Sequence, residues 1–102
     1  MSVPRYTTPT FTLEFSEEGL DLTQASGVYV TFKQASQTMT KTGSDLEVQE
    51  KSIGVFMSQA ETAKFCVGGI EIQANWTMAD GRRAASEVVD YEISEQLLPE
   101  VI

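Results

Sequence analysis

The apolar residues of this chain mostly alternate with polar ones, and breaker residues recur at short intervals. A period of two places every second side chain on one face of a strand, so the pattern predicts short strands with one buried face each. Phe11, Leu13 and Phe15 alternate with Thr10, Thr12 and Glu14 and predict the first strand. Ser16 to Gly27 reads as a polar connection anchored by Leu20 and Leu22. Val28, Val30 and Phe32 alternate with Tyr29, Thr31 and Lys33 in a second strand, and Thr38 to Thr42 forms a third, mostly polar one. That third strand suits a sheet edge, where Lys41 would discourage pairing with another chain. After the turn at Gly43-Ser44-Asp45, Leu46 and Val48 run into Glu50-Lys51 and then Ile53, Val55 and Met57, a second pair of strands. Phe56 falls on the opposite face from its neighbours and needs separate cover.

Ser58 and Glu61 have the spacing of a capping box, in which a serine hydroxyl and a glutamate carboxylate satisfy each other's backbone N–H groups. The spacing predicts a short helix over Gln59 to Lys64, with Ala63 and Phe65 against the sheets and Gly68-Gly69 as its stop. Next, Ile70, Ile72, Ala74 and Trp76 alternate with Glu71, Gln73, Asn75 and Thr77, and Asp80-Gly81 follows as a two-residue hairpin turn. Counting outwards from that turn sets Ala79 against Arg82, Thr77 against Ala84, Trp76 against Ala85, Ile72 against Val89 and Ile70 against Tyr91. The large apolar residues then share one face, with Trp76 and Tyr91 in the core. The same register sets Glu87 inward opposite Ala74 and Glu71 opposite Asp90, a like-charge pair. Together these elements predict an all-β, immunoglobulin-like β-sandwich of about six to eight strands with one short helix. Residues 1–102 read as one domain, with 94–102 as a C-terminal assembly arm.

Composition narrows the chemistry. The chain carries 15 Asp+Glu against 7 Lys+Arg, a formal net charge of -8, and such a surface repels nucleic acid. No apolar run approaches the roughly 20 residues that cross a membrane. Met1 to Thr10 lacks the basic-then-apolar pattern of a signal peptide, which predicts synthesis in the cytoplasm. There is no histidine, so Ser-His-Asp and Cys-His catalysis are excluded. The single Cys66 cannot form an internal disulfide and reads as a small buried side chain near a turn. Glu17, Glu18 and Asp21 cluster around Gly19 without the spacing of a calcium loop, and a solvated acidic loop is the simpler reading. Carboxylate pairs can hydrolyse glycosides across a cleft, but a hairpin face of so short a chain offers little cleft. The expectation is therefore that the chain is no enzyme and needs no cofactor.

Two features point to contacts with partners. Arg82 and Arg83 follow the hairpin turn, where they could pair with a partner's carboxylates. Leu97, Leu98, Val101 and Ile102 are four large aliphatics within six residues, an unusual load for a free tail. They could return to cover Phe56 or dock on a neighbour as an added strand, and Pro99 suits an edge or an extended arm.

The segments "TPTFTLEF", "VYVTFKQ", "MTKTGSDLEV", "VFMSQAETAKF", "IEIQANWTMADGRRAASE" and "QLLPEVI" follow one another in this chain. In that order they resemble small structural proteins from the tail or baseplate regions of phages and prophages of Firmicutes gut bacteria. The strand-helix-strand layout is similar to the N-terminal immunoglobulin-like domain of phage baseplate upper proteins. The resemblance implies a virion structural or assembly protein, made in the bacterial cytoplasm and carried in the particle. Its partners would be other phage structural proteins or copies of itself, as a homo-oligomer. The alternative expectation is a host-surface or carbohydrate-binding module, which needs exposed aromatics. Alternation places only Tyr29 and Phe56 outwards.

Overall fold

A computed structural model describes residues 2–98 and 100–102. Pro99, expected to shape an extended arm, lies outside the described residues. The fold is a β-sandwich of a six-stranded and a three-stranded sheet. In chain order the strands are β1 (Ser2–Pro4), β2 (Thr10–Glu14), β3 (Ala25–Gln34), β4 (Gln37–Thr42), β5 (Leu46–Gln49) and β6 (Ser52–Phe56). Helix α1 (Gln59–Thr62) precedes β7 (Gly68–Met78), β8 (Arg83–Ala85) and β9 (Val89–Ser94). The larger sheet runs β1-β9-β7-β3-β4, with β8 also on β7, and the smaller runs β2-β6-β5.

The two inner faces meet in one core. Val30, Phe32, Ile70, Ile72, Ala74, Trp76 and Ile93 of the larger sheet pack with Phe11, Leu13, Ile53 and Val55 of the smaller. Aromatic rings bridge the layers: Phe11 meets Phe32 edge-on at 5.3 Å and Tyr91 at 5.0 Å, and Phe15 meets Trp76 at 5.4 Å. Such edge-to-face contacts align a positive ring edge with a negative ring face. Phe56 stays 48% exposed, on the far side of its strand as alternation requires.

The capping box forms as expected. The Glu61 N–H donates to Ser58 Oγ at 3.2 Å, and the Ser58 N–H donates to Glu61 Oε1 at 2.9 Å. The helix is shorter than expected and ends at Thr62, whose buried hydroxyl donates to the Thr7 carbonyl at 2.9 Å. Glu61 also ion-pairs with Lys41, which is only 8% exposed. β4 is an edge strand, as its polarity predicts, but Lys41 does not guard that edge. It sits across from Val30, on the core-facing side, and spends its charge on Glu61.

Three further features depart from the sequence expectations. The described residues make nine strands, because Ser2–Pro4 pairs in parallel with β9 through Val3↔Ile93, and because the last hairpin is broken in two. Cys66 is exposed, not buried; the Gln34 side chain spans its backbone, accepting from the Cys66 N–H at 2.7 Å and donating to its carbonyl at 2.8 Å. In the last hairpin the register close to the turn is off by one. Trp76 pairs with Ala84 and Thr77 with Arg83, because the loop has three residues, closed by the Met78 N–H on the Arg82 carbonyl, with Gly81 at φ 91°. That geometry is the common three-residue hairpin ending in a left-handed residue. Beyond Ser86 the strand takes up an extra residue, so Ile72↔Val89, Glu71↔Asp90 and Ile70↔Tyr91 pair as expected. The irregularity leaves Ser86 opposite Ala74, with Ser86 N–H donating to the Ala74 carbonyl and the Ala74 N–H donating to Ser86 Oγ. Glu87 is therefore exposed instead of facing the core.

Candidate functional site

The outer face of the larger sheet is built by the polar half of the alternation. Gly27, Tyr29 and Thr31 of β3 lie across from Thr77, Asn75 and Gln73 of β7. Thr40 of β4 pairs with Thr31, and Arg83 of β8 pairs with Thr77. Cross-strand partners share a face, so these side chains form one surface.

Tyr29 stands at its centre and is 41% exposed. Its ring lies along the strand above Gly27: a Cβ built on Gly27 would come within 2.8 Å of the Tyr29 hydroxyl and 3.2 Å of two ring carbons. Only a residue without a side chain lets the ring rest there. Tyr29 walls two recesses. One, of about 280 Å³, is lined by Tyr29, Thr31, Thr40, Asn75, Thr77 and Arg83. The other, of about 530 Å³, opens on its other side beside Ser26, Gly27, Thr42 and Gly43.

The polar groups around the ring are ordered by one another. Arg83 donates to Asn75 Oδ1 from Nη2 at 3.1 Å and from Nε at 3.4 Å. The Thr31 and Thr40 hydroxyls lie 3.2 Å apart, and Ser26 Oγ lies 3.1 Å from Thr77 Oγ1. Among the described residues, Arg83 has no carboxylate within ion-pairing distance.

The expected arginine pair is thus divided. Successive strand residues point to opposite faces. Arg83 joins the Tyr29 surface, whereas Arg82 folds onto Asp80, with Nε 2.7 Å from Oδ2. The Arg82 N–H, above all, and the guanidinium charge hold the exposed Asp80 carboxyl below the usual carboxylate range. Arg82 therefore balances its own turn.

Of the four aliphatics in the C-terminal segment, Leu97 is 98% exposed, Ile102 81%, Val101 60% and Leu98 49%. The segment does approach α1, but through polar atoms: the Ile102 N–H donates to Gln59 Oε1 at 2.9 Å, and Gln59 Nε2 donates to the Ile102 carbonyl at 3.1 Å. The aliphatic side chains remain outside, and Phe56 remains uncovered.

The acidic candidates do not converge on one point; among the described residues no cluster suited to a metal ion forms. Asp21 caps a 3-10 turn at Leu22–Gln24 by accepting from the Thr23 N–H at 3.0 Å. Glu71 sits opposite Asp90 as expected, and Lys33 of β3 lies against its other flank. The register thus sets a lysine from a strand distant in sequence across from Glu71, without an ion pair between them among the described residues. Sequence reasoning also missed Arg5, whose Nε and Nη2 donate to the Phe65 and Ala63 carbonyls at 2.7 and 2.6 Å, tying the N-terminal strand to the end of the helix.

No family model and no curated protein matches this chain. Among solved structures, it is similar to a protein named as a putative glycoside hydrolase from Bacteroides vulgatus ATCC 8482, at 11% identity and a TM-score of 0.49. The match covers 93% of this chain and 16% of that one, so this chain spans about one sixth of that protein's length. The expectation that the chain is no enzyme is corrected on this finding, a structural neighbour being named as a hydrolase, and is not carried further. At that identity and TM-score the likeness transfers neither activity nor residues to this chain.

Proposed function

We propose that this chain is a structural module of a phage tail or baseplate that assembles by docking its C-terminal segment on a neighbouring copy. One observation carries the docking: Leu97, Leu98, Val101 and Ile102 are half to almost wholly exposed, and the hydrogen bonds that hold the segment to α1 run between the Ile102 backbone and Gln59. Fully burying an aliphatic side chain of this size is worth roughly 1.5–3 kcal/mol, so four of them reward association strongly. The virion setting rests on the resemblance of the ordered sequence segments to phage structural proteins.

Light scattering after size exclusion tests the docking. The wild-type protein is expected as an oligomer, and the variant with Leu97, Leu98, Val101 and Ile102 all replaced by Ser as a monomer with an unchanged melting temperature. A wild-type protein that stays monomeric at high concentration overturns the docking. A variant that unfolds shows that the segment belongs to the core.

A further inference from the structure

We infer that the outer face around Tyr29 is a saccharide-binding surface, and that its ligand is a pyranose carrying a carboxylate, a hexuronic acid residue of a polysaccharide. The inference stands apart from the C-terminal segment and rests on three observations at one place.

The first is the ring itself. A tyrosine on the solvent face of a sheet ordinarily extends away from the backbone. Here Gly27 leaves room for the hydroxyl end of the ring to lie against the strand, and the side chain stays 41% exposed. A pyranose offers a matching surface, because its axial C–H bonds form a flat apolar patch that stacks on an aromatic face. The second is the surroundings. Thr31, Thr40, Asn75 and Thr77 border the ring in a shallow recess of about 280 Å³. Hydroxyls and amides of this kind both donate and accept, as the hydroxyl rim of a sugar does. A small number of placed polar groups beside an apolar wall is the usual composition of a small-molecule site.

The third is Arg83. Asn75 Oδ1 holds the guanidinium at the rim of the recess, while no carboxylate of the described residues neutralises it. Arg83 is thus an oriented guanidinium on the outer face whose hydrogen-bond partner, Asn75, is uncharged. The guanidinium fork matches a carboxylate in two parallel hydrogen bonds, which makes a uronate a better fit than a neutral hexose. No covalent step is implied.

The test uses trigalacturonate as the acidic probe and cellotriose as the neutral one, with amide chemical-shift mapping and calorimetry on the whole chain. Trigalacturonate is expected to shift the amides of Tyr29, Asn75, Thr77 and Arg83. Tyr29→Ala should weaken binding at least about tenfold, because the stacking surface is lost. Gly27→Ala should do nearly the same with the tyrosine still present, because the new methyl lifts the ring; a purely structural role for Tyr29 would not predict this. Arg83→Gln should weaken trigalacturonate about tenfold and leave cellotriose unchanged. Melting temperatures of all three variants should stay near wild type. The inference is overturned if neither probe shifts these amides, if Tyr29→Ala binds as wild type, or if cellotriose binds as tightly as trigalacturonate.

Discussion

Along β7, Ile70, Ile72, Ala74 and Trp76 are buried, while Glu71, Gln73, Asn75 and Thr77 on the same backbone stay exposed or half-buried. The two faces obey different rules. On the inner face each side chain fills space against the smaller sheet, and lost volume is felt directly because interiors are close-packed. On the outer face the hydroxyls and amides exchange bonds with water at little net gain, so folding alone leaves their identities free. An ordered outer arrangement, such as a ring resting on a glycine beside a tethered arginine, is therefore better explained by recognition than by stability.

The comparison breaks most easily at Trp76, which is 4% exposed and packs against Phe15. Trp76→Ala should lower the unfolding free energy by about 3–5 kcal/mol in urea titration. A loss under about 1 kcal/mol would mean that the inner face is not packed as described.

The charged intruder on the core side offers the next test. Burial alone raises the Glu61 carboxyl, but the Lys41 hydrogen bond and charge and the Ser58 N–H outweigh it and hold the carboxyl below its usual range. A carboxylate depressed in the folded state stabilises above its unfolded pKa, near 4.3 for Glu, and that stability is lost as pH falls through the lower folded value. Glu61→Ala removes both the pair and half of the capping box, and should cost about 2–3 kcal/mol at neutral pH. The variant should also lose part of the wild-type decline in melting temperature on acidification. An identical acid limb in the two proteins would remove Glu61 from the account.

Gly81 tests the turn that positions Arg83. At φ 91° a β-branched residue is strained, so Gly81→Val should cost about 1–2 kcal/mol. A fully stable variant would argue for a different loop. The smallest effect is expected on the outer face, where Thr31→Ala should change stability by less than about 0.5 kcal/mol. A larger loss there would show that the outer hydroxyls serve the fold, and would weaken the contrast between the faces.

Most of the inner face was legible in the chain. A period of two is a local property, so Phe11, Leu13, Val30, Phe32, Ile53, Val55, Ile70, Ile72 and Trp76 declare their side of a strand without knowledge of any partner. The capping box at Ser58 and Glu61 is equally local, since both partners lie within one turn of chain. The candidate site was only half legible. Alternation exposed Tyr29, but the glycine beneath its ring and the separation of Arg83 from Arg82 depend on side-chain directions and on a register off by one.

What the tertiary structure alone decided has a common physical cause: pairing energies come from residues far apart in sequence. The parallel seating of Ser2–Pro4 on β9 brings together segments from opposite ends of the sequence, and Lys33 pairs in register with Glu71 only because β3 and β7 are neighbours. The turn between β3 and β4 places Ala35 at φ 51° without the glycine or asparagine that would announce it, because the long register on either side compels it. In the last hairpin, Asp80-Gly81 permits a two-residue loop and a three-residue one alike. The choice fell to Ser86, whose hydroxyl and backbone bind Ala74 and carry the extra residue before Val89. The alternation along the chain fixed which residues face inward, and long-range pairing fixed which of the outward ones meet.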